Sequence, residues 1–244
     1  MRDFYTALQF LTRIPLQRTN EWHEEDFGRS VKYFPLVGAV IGTLYLTASL
    51  ILLALPGIPP HLTAAILLLL TLIITGGIFY DGFMDTMDGI FSGRSREKML
   101  AIMKDSTVGA NAVMTFVLLM ITDYALIMDF PAAKLPFALF IMPIVSRLAV
   151  VTAITCFPYA RPQGMGKAFA DHADKKTLPT AAGTTLLFVL PGGADPVVAL
   201  SGGLLFAWLF LRYTTKILGG VTGDVYGAVA TLTETVVLFL MLIL

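Results

Sequence analysis

LTAAILLLLTLIITGGIFY, residues 62–80, runs without a charge into DGFMDTMDGIFSGRSREKMLAIMKD, Asp81 to Asp105. The first stretch approaches the ~20 residues needed to cross hydrocarbon. The second holds five of the seventeen acidic residues of the chain. Asp81, Asp85 and Asp88 recur at i, i+4 and i+7, so on a helix they fall within an arc of about 60°, spread along roughly 10 Å. Three carboxylates on one face repel, and each favours its protonated form unless a cation stands opposite. Magnesium or manganese is the expected cation, because hard divalent ions take carboxylate oxygens and complete their shell with phosphate oxygens of a substrate. The junction therefore predicts a membrane helix that delivers an acidic, cation-binding face.

Working outward, 56% hydrophobic and 14% charged residues in a chain of 244, with mean hydropathy +0.77, point to an all-α polytopic membrane protein. Residues 1–244 read as a single integral membrane domain. The sole cysteine, Cys156, excludes an internal disulfide, and His23, His61 and His172 show no metal-ligand spacing. With Asp3 and no long apolar core closed by a small-residue cleavage site, a removable signal peptide is not expected. Instead Phe4, Ala7, Leu8, Leu11 and Ile14 share one face between Met1 and Leu16, as in a helix lying in the interface, and Pro15 is expected to end it. Arg18 to Lys32 is polar and mixed in charge and reads as a solvated connector.

Apolar stretches at 34–55, 62–80, 108–128, 136–155, 178–190, 196–211 and 225–244 give about seven transmembrane helices. Residues 178–190 rise only about 20 Å as a helix, too little alone for a ~30 Å core, so this stretch either spans with help or forms one arm of a re-entrant hairpin. With the N-terminus inside, cytoplasmic segments hold fifteen of the seventeen basic residues; Lys134 alone falls outside and Arg147 alone within a span. The positive-inside rule thus predicts a cytoplasmic N-terminus. The external loops, 56–61, 129–135 and 191–195, are short and rich in Pro and Gly, which leaves the chemistry to the cytoplasmic face.

Four pieces are expected to converge there: Asp81 to Asp105, YARPQGMGKAF (Tyr159 to Phe169), GGVTGDVYGA (Gly219 to Ala228) and FPLVGAVIG (Phe34 to Gly42). Glycines let a backbone approach a phosphate, and Arg161 and Lys167 are suited to clamp anionic oxygens. FPLVGAVIG reads as helix packing, since small residues let membrane helices approach. Arg147 is expected to meet substrate or an acid, because a lone charge in a span costs at least ~2.5 kcal/mol. Asp123, near the outer end of its span, reads as reaching the interface. Glu234 is deeper, and either pairs with Arg147 or belongs to a proton path.

These residues describe a metal-dependent membrane enzyme acting on a phosphorylated substrate, with phosphoryl transfer the best fit. Asp85, Asp88, Gly89, Gly93 and Arg94 approximate the pattern of CDP-alcohol phosphotransferases, with one residue too many before Gly93 and no second aspartate pair after Asp105. A closer resemblance runs along nearly the whole chain. LQFLTRIPL, YFPLVGAVIG, TGGIFYDGFMDTMDGIFSGRSREKMLAIMKDSTVG, YARPQGMGKAF and TGDVYGA together resemble the adenosylcobinamide-GDP ribazoletransferase (cobalamin synthase) family.

That resemblance implies an enzyme of the prokaryotic plasma membrane. It would transfer cobinamide phosphate from adenosylcobinamide-GDP to α-ribazole or α-ribazole 5′-phosphate, releasing GMP. It further implies Mg²⁺, with Mn²⁺ as a substitute, held by Asp81, Asp85 and Asp88, and Asp105 as a further ligand or the general base. Arg94, Arg161 and Lys167 would grip the diphosphate and guanylate, Asp224 would contact a ribose or the metal, and Arg147 the transferring phosphate. Phe79 departs from the family, which commonly has histidine there. Expected partners are these substrates and membrane lipid, with a homo-oligomer open and no nucleic acid.

The alternatives are an ion-coupled transporter using Arg147, Asp123 and Glu234, or a membrane phosphotransferase of the CDP-alcohol type. An intramembrane aspartyl protease, suggested by Tyr80–Asp81 and Gly223–Asp224, is disfavoured by Val221, which replaces a glycine its motif requires.

Overall fold

The computed structural model describes residues 2–14 and 23–244, so the expected end of the first helix at Pro15 lies outside the described residues. Within them the chain is helical throughout: α1 (Arg2–Leu11), α2 (Glu24–Ser30), α3 (Phe34–Ala54), α4 (Pro60–Thr75), α5 (Ile78–Phe91), α6 (Arg96–Ile102), α7 (Ala110–Asp129), α8 (Leu135–Cys156), α9 (Met165–His172), α10 (Thr177–Val189), α11 (Ala194–Leu218) and α12 (Gly223–Ile243). Five helices are long and apolar enough to cross a membrane alone, namely α3 as the end of a continuous run from Glu24, α7, α8, α11 and α12. The pair α4 and α5 makes a sixth span if counted together. The protein is thus an all-α polytopic membrane protein, with α10, at 13 residues, the short segment that the sequence marked.

The stretch 62–80 is not one straight span. Gly76 and Gly77 both adopt left-handed backbone, φ 67° and 76°, a region that costs glycine nothing and other residues about 1 kcal/mol or more. The chain bends by 96° there. The end of α4 is secured from outside, the Arg13 N–H donating to the Ile74 carbonyl at 2.7 Å. The bend carries the acidic residues on a separate helix, α5, rather than on the tail of α4.

α8 is the central post, with every residue from Ile141 to Val150 buried. α3 crosses it where Gly38 and Gly42, four residues apart, face the backbone of residues 140–144; a Cβ on Gly38 would come within 2.6 Å of the Pro143 carbonyl oxygen. This is the small-residue packing that FPLVGAVIG promised. α12 packs against α8, α11 and α5.

Two expectations are corrected. The part of the supposed solvated connector that lies within the described residues folds largely as α2, whose Asp26 is buried and holds Arg2 at 3.0 Å and, more closely still, Arg29. A buried carboxylate keeps its charge when cations satisfy it. Asp123 faces the protein interior rather than outward: it is buried and accepts a hydrogen bond from Thr235 at 2.7 Å.

Candidate active site

The i, i+4, i+7 spacing does what helical geometry requires. On α5, Asp81 is exposed and Asp85 and Asp88 are half-buried, while Phe79, Gly82, Phe83, Thr86, Met87 and Gly89 are buried on the opposite side. That buried side crosses α12 at glycines. A Cβ on Gly82 would come within 2.8 Å of the Asp224 carbonyl oxygen and 3.1 Å of Gly227 Cα. The close approach puts Asp224 beside the α5 acids, and the charges that act on Asp85 are those of Asp81, Asp224, Arg161 and Asp88.

Arg161 arrives from a different loop. Residues 158–160 pair with Val221 in a single parallel bridge, the Ala160 N–H donating to the Val221 carbonyl and the Val221 N–H to the Pro158 carbonyl, both at 2.8 Å. The two glycine-bearing loops that the sequence singled out are therefore joined by backbone. Arg161 Nη2 lies 2.7 Å from Asp224 Oδ2, yet the same nitrogen, buried, has no aligned hydrogen-bond acceptor among the described residues. Burial raises the Tyr159 phenol above its ordinary value, and a contact with the Gly223 backbone works the other way.

Next to these acids lies a cavity of about 200 Å³. Its walls are Phe10 and Leu11 of α1, Phe34, Phe79, Val150, Ile154, Met165 and Phe169, with Asp81, Asp224 and Tyr226 supplying polar groups. The Phe169 ring is the hub of one wall, 4.8 Å from Phe10 and 5.7 Å from Phe34. The sequence reading did not include α1 or Tyr226 in the site, although Tyr226 falls inside the quoted segment TGDVYGA.

The remaining candidates are dispersed. Asp88 sits against the backbone of Gly109, just before α7, in the space that a Cβ there would fill. Asp105 is exposed and accepts hydrogen bonds from the Thr107 N–H at 2.8 Å and hydroxyl at 2.6 Å. These hold its carboxyl below the ordinary carboxylate range. Arg94 is exposed beyond the end of α5. Lys167 pairs with Asp171 one turn along α9, 2.7 Å away. Arg147, 1% exposed, pairs with Glu234, and its Nη1 also donates to Ser146 at 2.6 Å. Among the described residues no three of His, Cys, Asp and Glu converge closely enough to hold one metal ion. Neighbouring carboxylates on α5, hard oxygen donors on an open face, still suit a divalent ion that takes its other ligands from phosphate or water.

Residues 3–242 match the cobalamin-5-phosphate synthase family. The chain belongs to that family. Adenosylcobinamide-GDP ribazoletransferases are among its relatives in cobalamin-5-phosphate synthases. That of Desulfitobacterium hafniense is 41% identical over 96% of this chain and 94% of its own length. That of Pseudomonas paraeruginosa is 38% identical over 98% and 96%, and that of Clostridium acetobutylicum 34% over 96% and 93%. No solved structure matches the chain.

Proposed function

We propose that this cobalamin-5-phosphate synthase family member is an adenosylcobinamide-GDP ribazoletransferase, working at the cytoplasmic face of a bacterial plasma membrane with its N-terminus inside. The observation that carries the reading is the near-complete coverage of relatives bearing that name. The acid-lined cavity beside Arg161 supports it.

In the reaction a ribose hydroxyl of α-ribazole, or of its 5′-phosphate, forms a bond to the phosphorus that carries cobinamide. The bond from that phosphorus to the bridging oxygen breaks, and GMP leaves. The chain must supply a proton acceptor and neutralise the diphosphate. Asp81, at the cavity and without an ion-pair partner among the described residues, is the carboxylate suited to take the hydroxyl proton. Asp105, turned onto Thr107 and held acidic, is not.

Arg161 would hold phosphate oxygens through guanidinium N–H groups that Asp224 does not engage, while Asp224 fixes its position. Arg94 and Lys167 stand at the rim as further anion contacts, Lys167 after exchanging Asp171 for phosphate. Mg²⁺ is the ion that Asp85, with Asp81 or Asp88, would hold together with the substrate; it would neutralise charge that develops on the leaving phosphate. The test is direct: purified protein, adenosylcobinamide-GDP, α-ribazole and Mg²⁺, with GMP and the cobalamin product separated by chromatography. No product across several lipids would end this reading.

A further inference from the structure

The cavity beside Asp81 has a composition that the transfer of phosphate does not by itself require. Its walls are aromatic and aliphatic, with Asp81, Asp224 and Tyr226 as its polar side chains. One of them is anomalous. Tyr226, 5% exposed, lines the cavity, and its hydroxyl is buried without a hydrogen-bond partner among the described residues. Leaving a buried hydroxyl unpaired costs about 1–3 kcal/mol, so a ligand that satisfies it gains accordingly.

The cavity volume, about 200 Å³, corresponds to roughly seven waters at their share of liquid volume. That is the scale of a bicyclic ring rather than of a corrin. We infer that this cavity seats the aromatic base of the acceptor nucleoside, packed between Phe79 and Phe169, with the Tyr226 hydroxyl donating to an unprotonated ring nitrogen. The inference rests on the proposed ribazole transfer. A benzimidazole offers two apolar faces, apolar edges and one acceptor nitrogen, which is what these walls and one orphan donor can satisfy. Guanine could give its amide and amino N–H to Asp81 or Asp224, but its carbonyl and ring nitrogens need several donors where the lining offers the one orphan hydroxyl of Tyr226 among the described residues, and each unmatched group would carry its desolvation cost.

A base held here places its ribose towards Asp81 and Asp224, the acids of the lining among the described residues, where the attacking hydroxyl is needed. The cavity then selects the acceptor, while the guanylate of the donor must lie elsewhere, on the side of Arg161 and Arg94.

The experiment uses the full chain in detergent and measures α-ribazole binding by equilibrium dialysis without the second substrate. Free dimethylbenzimidazole should compete and guanosine should not. Tyr226→Phe should weaken α-ribazole binding and raise its KM by roughly 2- to 10-fold, the range of one neutral hydrogen bond, with the KM for adenosylcobinamide-GDP unchanged. Ile154→Phe, which fills the cavity, should abolish binding while the conservative Tyr226→Phe guards against misfolding. Competition by guanosine, or α-ribazole binding unchanged in both folded variants, overturns the assignment. Displacement of α-ribazole by phospholipid alone, with dimethylbenzimidazole ineffective, overturns it in favour of an acyl-chain site. If wild type makes no GMP the function itself falls; if it makes GMP and the variants keep the wild-type KM for α-ribazole, only the base site falls.

Discussion

The guanidinium carbon of Arg147 lies 4.4 Å from the centre of the Phe79 ring, and it is Phe79, not Arg147, that lines the cavity. The buried cation thus supports the floor of the site through an aromatic face while Glu234 balances its charge. Arg147→Leu should destabilise the protein by about 3–5 kcal/mol, because it leaves Glu234 buried without its partner. The double variant Arg147→Leu with Glu234→Leu should recover most of the melting temperature and of GMP release. A double variant that melts like wild type yet makes no GMP would instead put Arg147 in contact with substrate.

The crossing of α5 and α12 leaves no room for a side chain. Gly82→Val should separate the helices and draw Asp81 and Asp85 away from Asp224, lowering GMP release at least about tenfold, as expected when reacting groups are misplaced by about 1 Å. Membrane insertion should persist. Wild-type turnover in Gly82→Val would show that the Asp224 neighbourhood is dispensable.

Asp85 stands among Asp81, Asp88 and Asp224, so its charge is the one on which cation binding should depend most. Asp85→Asn should raise the Mg²⁺ concentration for half-maximal GMP release about tenfold or more, with partial rescue by Mn²⁺. Asp105→Asn should leave that concentration unchanged. Titrating both variants with metal reads the difference, and wild-type activity that survives chelator would remove the ion from the account.

Asp174 accepts from the Lys176 N–H at 3.0 Å and the Thr177 hydroxyl at 2.8 Å, and these bonds hold its carboxyl below the ordinary range. A depressed folded-state value means a contribution to stability present above the unfolded carboxyl's value, about 3.9, and lost as pH falls through the lower folded one. Melting temperatures between pH 2 and 6 should therefore fall less steeply towards acid in Asp174→Asn than in wild type. Parallel curves would contradict the assignment.

Fifteen basic residues on one side against Lys134 on the other define the expected orientation. Cys156 is free and exposed, so the probes belong in a Cys156→Ser background. Gly93→Cys and Gln163→Cys should react with an impermeant thiol reagent only from the cytoplasmic side, and Gly57→Cys only from outside. External labelling of Gly93→Cys would invert the orientation.

What the sequence made legible was periodic or charged. The shared face of Asp81, Asp85 and Asp88 follows from spacing alone, and the cost of a lone buried charge required that Arg147 meet substrate or an acid, of which the structure shows the acid, Glu234. The packing role of Gly38 and Gly42 was equally plain. What it hid depends on backbone. Gly76–Gly77 looks like two small residues in an apolar run, because hydropathy carries no record of φ. Lys167 read as an anion clamp, yet an acid one turn away at Asp171 was in plain view. Asp123 lies near the end of its span by count, but its burial goes with a hydrogen bond from Thr235, a partner more than a hundred positions on. Tyr226 looked like any aromatic residue in a span until its buried hydroxyl proved to have no hydrogen-bond partner among the described residues.

The meeting of Gly82 with Gly227 also orders events during synthesis. The acids of α5 are synthesised early, while Asp224 and Tyr226 arrive only with α12, after the other described helices. Until that helix is threaded against α5, the nascent chain carries carboxylates but no cavity wall to set beside them. The cavity lining is therefore complete only once the last of the described helices is in place.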